Sequence, residues 1–138
     1  MTPTNPAPRS GLGRTVPVGY EEVLEKTRRA LEAEGFGVLT TIDVKATLKQ
    51  KLDVEHPPFM ILGACNPPLA HRALTAAPEI GVMLPCNVVV REIEPGTTRV
   101  EAINAEMMGQ MFPVAEVEAV AQEVGARLAR VLDAVEAL

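Results

Sequence analysis

The chain holds two cysteines, and each precedes an asparagine: Cys65-Asn66 and Cys86-Asn87. Cys65 closes an apolar run. Asn66-Pro67 behind it has the form of a helix N-cap followed by proline at the first helical position. Unpaired amide N–H groups and the helix dipole at such a place favour a thiolate, so the pattern predicts a lowered Cys65 pKa. His71 follows about one to two turns along the same helix. With Cys86 at the end of a neighbouring strand, the sulfurs could approach each other as a redox pair. Joined by His71, they would form a soft-metal site of Cys65, Cys86 and His71. Zinc takes four protein ligands, or three plus water, and nothing in the spacing brings the remaining candidate, His56, near. The spacing matches no C-x-x-C, H-x-x-H or H-E-x-x-H pattern. Free cysteines more often pack as small hydrophobes, and that use stays open for both.

Other groups are weaker signals. Lys45 and Lys49 stand at i and i+4 behind Asp43, where a helix would present both to one anion or simply to water. Met107, Met108 and Met111 recur at helical spacing; thioethers beside a cysteine could hold Cu(I), but such residues more often fill gaps or form an adaptable contact surface. Glu92, Glu94, Glu101 and Glu106 lie in or beside a hairpin and read as exposed, and no carboxylate pair forms an acid–base motif. No phosphate-binding glycine loop is present, and no cofactor is indicated.

The elements that must position these residues follow from periodicity. Thr15–Val18 reads as a short edge strand, marked by Pro17. Tyr20, Val23, Leu24, Thr27 and Leu31 recur at helical spacing, and Gly35 supplies the stop. A strand over 36–42 leads to Asp43, the N-cap of a short helix reaching about Leu52. Phe59–Ala64 is an apolar run of buried-strand length, and a helix from Leu69 to Ala76 follows it. Ile80–Leu84 reads as a strand, interrupted at Pro85-Cys86-Asn87 and resumed over Val88–Ile93. Pro95-Gly96 turns the chain into Thr98–Ile103. Val117, Ala121, Val124, Leu128, Val131, Val135 and Leu138 form a heptad seam, widened by Val120 and Leu132 as in a helix lying on its own sheet. Gly125 inside that helix suggests close backbone approach.

The 138 residues suit one domain, with 47% hydrophobic and 22% charged residues in ordinary balance. A formal net charge of −5 and only 3% aromatic residues argue against a nucleic-acid surface. No apolar run is long enough for a membrane helix, and the opening residues carry no secretory h-region. The expected organisation is a tail over 1–12 and a single domain over 13–138.

Three segments, in this order, resemble signatures of one family. They are Gly35-Phe36-Gly37-Val38-Leu39-Thr40-Thr41-Ile42-Asp43-Val44-Lys45, Ile61-Leu62-Gly63-Ala64-Cys65-Asn66-Pro67-Pro68-Leu69-Ala70, and Leu84-Pro85-Cys86-Asn87-Val88. The family is that catalogued as domain of unknown function 302, and the resemblance runs from about Thr15 to Leu138. It implies a fold similar to one half of the TATA-binding protein, β-α-β-β-β-β-α with additions, and association as dimers. It implies no activity, substrate or cofactor, and a shared sheet does not import DNA binding.

The combined expectation is an α+β fold: a mainly antiparallel sheet of about five strands, covered on one face by two long helices, with two short inserted helices. A sheet covered on one side leaves its other side to bury, and a symmetric copy is the commonest solution. The leading reading is a cytoplasmic homodimeric binding module for a small or anionic ligand. Its site would gather Cys65, Asn66, His71, Cys86 and Asn87, with Lys45 at the rim. The alternatives are a thiol redox or soft-metal protein using Cys65 and Cys86, and a structural protein-interaction domain. No nucleic acid and no membrane is expected as a partner, and no sequence feature argues for an enzyme.

Overall fold

The computed structural model describes residues 11–138, so the predicted tail lies, but for its last two residues, outside the described residues. The chain forms β1 (Gly11–Val16), α1 (Tyr20–Ala33), β2 (Gly37–Asp43), α2 (Val44–Leu52), β3 (Phe59–Cys65), α3 (Pro67–Ala76), β4 (Cys86–Glu94), β5 (Thr97–Ile103), α4 (Glu106–Met111) and α5 (Ala115–Glu136). One five-stranded sheet runs in the order β1-β5-β4-β3-β2, and every neighbouring pair is antiparallel. The fold is α+β, as the periodicities predict. β1 is an edge strand, but it begins at Gly11 and ends before Pro17.

Alternation along the strands separates two faces. Leu62 and Ala64 on β3, Cys86, Val88 and Val90 on β4, and Val100 and Ala102 on β5 are buried. This face meets α1 and α5, whose inward residues include Val23, Leu31, Val124, Leu128 and Val131. α5 touches α1, α3, α4, β1 and β5, so its apolar seam is spent within the protomer. Leu138 falls beyond the helix and is exposed. Gly125 is not required for a close approach, because an added Cβ would meet nothing nearer than Ala105 Cβ at 3.9 Å.

The end of α1 shows how sequence sets a boundary. Gly35 has φ of +84°, a conformation that a side chain would strain. The Phe36 amide donates to Leu31 O at 2.9 Å and the Gly35 amide to Glu32 O at 3.0 Å, the paired bonds of a Schellman motif. Phe36 is thereby turned into the core. Arg127 of α5 donates to Glu34 O at 2.7 Å, joining the two long helices at this corner.

One expected strand is absent. Pro78–Met83 forms a 3-10 turn, and β4 starts at Cys86 without interruption. Pro78 takes the first helical position, the Ile80 amide bonds to Ala77 O, and the Leu84 amide to Gly81 O. Ile80 is the buried residue of the turn while Val82 is 81% exposed, so the apolar run does not alternate. Among the described residues, no buried side-chain nitrogen or oxygen lacks a hydrogen-bond partner. The buried Thr27 and Thr98 hydroxyls, for example, donate to Val23 O and Val18 O, each at 2.7 Å.

Candidate functional site

Cys65 and Cys86 come from adjacent strands, in a register that pairs Ala64 with Cys86. Cys86 therefore shares the helix-covered face with Ala64, and Cys65 occupies the alternate position. The two thiols are free and not close to each other. Both residues border a cavity of about 20 Å³ whose walls include Phe36, Ala73, Met108 and Val124. That is room for about one water, not for an organic ligand.

Asn66 acts as expected: its Oδ1 accepts the Leu69 amide at 3.3 Å and caps α3. The predicted thiolate is not favoured. Burial pushes the Cys65 thiol above its ordinary value. Cys86 is pushed up to about 11, by burial first and by the Cys65 charge second. The helix terminus does not reverse this, since one of its amides is already engaged by Asn66 and desolvation dominates. Thiol labelling at neutral pH is expected to modify Cys65 slowly and Cys86 only after denaturant is added. Fast labelling of Cys86 in the folded protein would contradict its burial.

The remaining predicted residues scatter. His71 is exposed on α3, where its carbonyl accepts Thr75 Oγ1 at 2.7 Å, and it does not border the cavity. Asn87 pairs with Gly63 and is exposed on the uncovered face of the sheet. Lys45 lines a different cleft, beside α2. Among the described residues, no group of three or more His, Cys, Asp or Glu side chains is placed to hold a metal ion. Met108 is buried in the core and Met111 is exposed. Asn66→Ala is expected to lower stability by about 1 kcal/mol through loss of the cap, with Asn66→Asp close to wild type in urea denaturation.

The uncovered face carries what the linear pattern missed. Register aligns Ile42, Ile61, Val89, Glu101 and Gly13 in one row across the sheet. Beside it, Arg91 stands opposite Arg99. Such like charges repel unless neutralised. Glu101 supplies the counter-charge, with Oε1 2.7 Å from Arg91 Nε and Oε2 3.3 Å from Arg99 Nε. Partial burial alone would raise the Glu101 pKa, but the two guanidiniums outweigh it and hold the carboxyl below its ordinary value. Glu101 is thus not the exposed residue its hairpin position suggested.

Residues 12–135 match the family model described as domain of unknown function DUF302. The chain belongs to the DUF302 family. It is similar, at 32% identity and a TM-score of 0.82, to the crystal structure of an uncharacterised conserved DUF302 protein from Bacillus stearothermophilus. That likeness covers 92% of this chain and 98% of the other. An uncharacterised protein of Aquifex aeolicus is 28% identical over 87 residues, 63% of this chain and 54% of that protein, so the match spans about half of that relative. The three segments singled out in the sequence all fall inside the DUF302 match: the first runs from the end of α1 to the start of α2, the second from β3 into α3, and the third into β4. None of the described helices of this DUF302 protein is long and apolar enough to cross a membrane.

Proposed function

We propose that this DUF302 protein is a cytoplasmic homodimeric binding module that pairs through the uncovered face of its sheet. The observation that carries the reading is α2. It has nine residues and buries none of them in its own protomer. A helix that short is marginal in water without tertiary packing. α2 directly follows β2 and contacts β2 and β3, and across β2, β3 and β4 runs the row Ile42, Ile61 and Val89, with Ile42 47% exposed. A second copy related by a twofold axis would bury both features in one self-complementary contact. The Arg91–Glu101–Arg99 cluster at its edge then sets orientation more than affinity. Two free thiols fit a reducing compartment. A nucleic-acid partner is disfavoured by the net charge of −5.

Thiol redox or soft-metal chemistry has weaker support, since both cysteines favour the protonated thiol and stand apart. Sedimentation velocity tests the pairing. Wild type should sediment at twice the chain mass, and Val89→Asp at the mass of one chain with its helical circular dichroism unchanged. A single-chain mass for wild type across the micromolar range would overturn the reading.

A further inference from the structure

We infer that Arg91 and Arg99 hold a small free oxyanion of the phosphate class on the uncovered face of the sheet, and that its binding promotes the pairing of two copies. This deepens the pairing reading above and rests on it.

Arg91 and Arg99 stand opposite each other on β4 and β5. Among the described residues, Glu101 is the carboxylate that meets them, with one oxygen for each Nε. The other hydrogen-bond partner is Thr15, whose Oγ1 accepts Arg99 Nη1 at 3.0 Å. Most N–H donors of the two guanidinium forks are left over. The arginines are also held in place. An added Cβ at Gly13 would lie 2.5 Å from Arg99 Nη2 and 2.8 Å from Arg99 Cζ, so the guanidinium fills space that glycine leaves open on β1. The Arg91 and Arg99 side chains are only 30% and 24% exposed, so the pair is formed before any partner arrives.

Two cations and one anion leave one positive charge in excess in each copy. Glu94 does not cancel it: that residue lies beyond the register shift of β4, exposed at the hairpin end, and pairs with neither arginine among the described residues. The excess does not titrate away. Arginine keeps its proton, and the two guanidiniums keep Glu101 ionised at neutral pH. On the open face, water screens the charge. A second copy would exclude that water, and an enclosed charge without a counter-charge opposes association. An oxyanion supplies the missing charge, and its oxygens match the guanidinium forks, which hold phosphate groups by paired hydrogen bonds. Enclosure between two sheets favours a small anion over a bulky ester.

The test is sedimentation equilibrium of the full chain at constant ionic strength, in sodium chloride and with millimolar inorganic phosphate added. Phosphate should lower the dimer dissociation constant of wild type about tenfold, the scale of one charge-assisted hydrogen bond. Glycerol phosphate should act more weakly. Arg99→Gln removes the excess cation and leaves Arg91 with Glu101. With unchanged circular dichroism, it should pair in chloride about as tightly as wild type does in phosphate, and show no response to phosphate. Arg91→Gln leaves the same charge count and should behave alike. Wild-type pairing that ignores phosphate would overturn the anion site and keep the dimer. A single-chain mass in both buffers would overturn both readings. An equal phosphate response in the two variants would assign the effect to general salting, not to the arginines. Weaker pairing of both variants in chloride, or a stronger response of wild type to glycerol phosphate, would also overturn the assignment.

Discussion

Leu128→Ala is expected to lower the unfolding free energy by about 2–5 kcal/mol, the range for deleting a fully buried leucine. Leu128 is 2% exposed and sits mid-way along α5. The helix meets α1, α3, α4, β1 and β5, so the truncated side chain leaves a void bounded by separate elements. Such a void collapses only by moving a helix against a sheet, which places the cost in the upper part of that range. A domain of ordinary stability holds about 5–15 kcal/mol, so the variant loses a large share of its margin. Urea denaturation should show a lower midpoint with an unchanged slope. Both proteins must be compared at one concentration, because any self-association of folded chains adds to their apparent stability. Val82→Ala, at a position 81% exposed, should stay within about 0.5 kcal/mol of wild type. A loss below about 1 kcal/mol for Leu128→Ala would contradict the placement of the α5 seam in the core.

The parts of this fold legible in the sequence are those written by local chemistry. Gly35 announced the left-handed residue that ends α1, and the Schellman bonds stand where it placed them. Asn66-Pro67 announced α3, and Asp43 announced α2. The α5 seam was legible because 3.6-residue periodicity repeats along one continuous helix. What stayed hidden depends on register between strands. The start of β4 at Cys86, rather than at Ile80 or Val88, decides which face each later residue takes, and a shift of one residue exchanges the faces. The row Ile42, Ile61 and Val89 and the counter-charge at Glu101 exist only once those pairings are known. The same parity separates the cysteines that equal Cys-Asn contexts had grouped. The α2 cleft was half visible: Lys45 and Lys49 shared a helix face on paper, but only the fold brings His56 to them.

Gly63→Ala should cost about 1–3 kcal/mol, as extra volume in a packed position does. β2 changes register against β3 between Val38 and Thr40, which sets Thr40 opposite Gly63. An alanine Cβ at Gly63 would overlap Thr40 Oγ1 and lie 2.8 Å from Pro85 Cγ and 3.3 Å from Thr40 Cβ. Of the two other staggered positions of Thr40, one puts its methyl group where the hydroxyl stood and the other only the Cβ hydrogen, so rotation relieves part of the crowding but leaves Thr40 Cβ 3.3 Å away. The proline ring has little freedom to yield. Thr40 is exposed, so Thr40→Ala alone should be close to neutral. In the Gly63→Ala background it should restore part of the loss, giving a coupling above about 0.5 kcal/mol in a double-mutant cycle. The unrecovered part belongs to Pro85, and it has its own readout. Pro85 directly precedes Cys86, where β4 begins and the small cavity lies. Displacing the ring should loosen that corner and make Cys86 react with thiol reagents before global unfolding. A Gly63→Ala protein of wild-type stability with Cys86 still protected would mean that this close approach of β2, β3 and Pro85 does not hold in solution. Loss of stability with Cys86 still protected would confine the strain to Thr40.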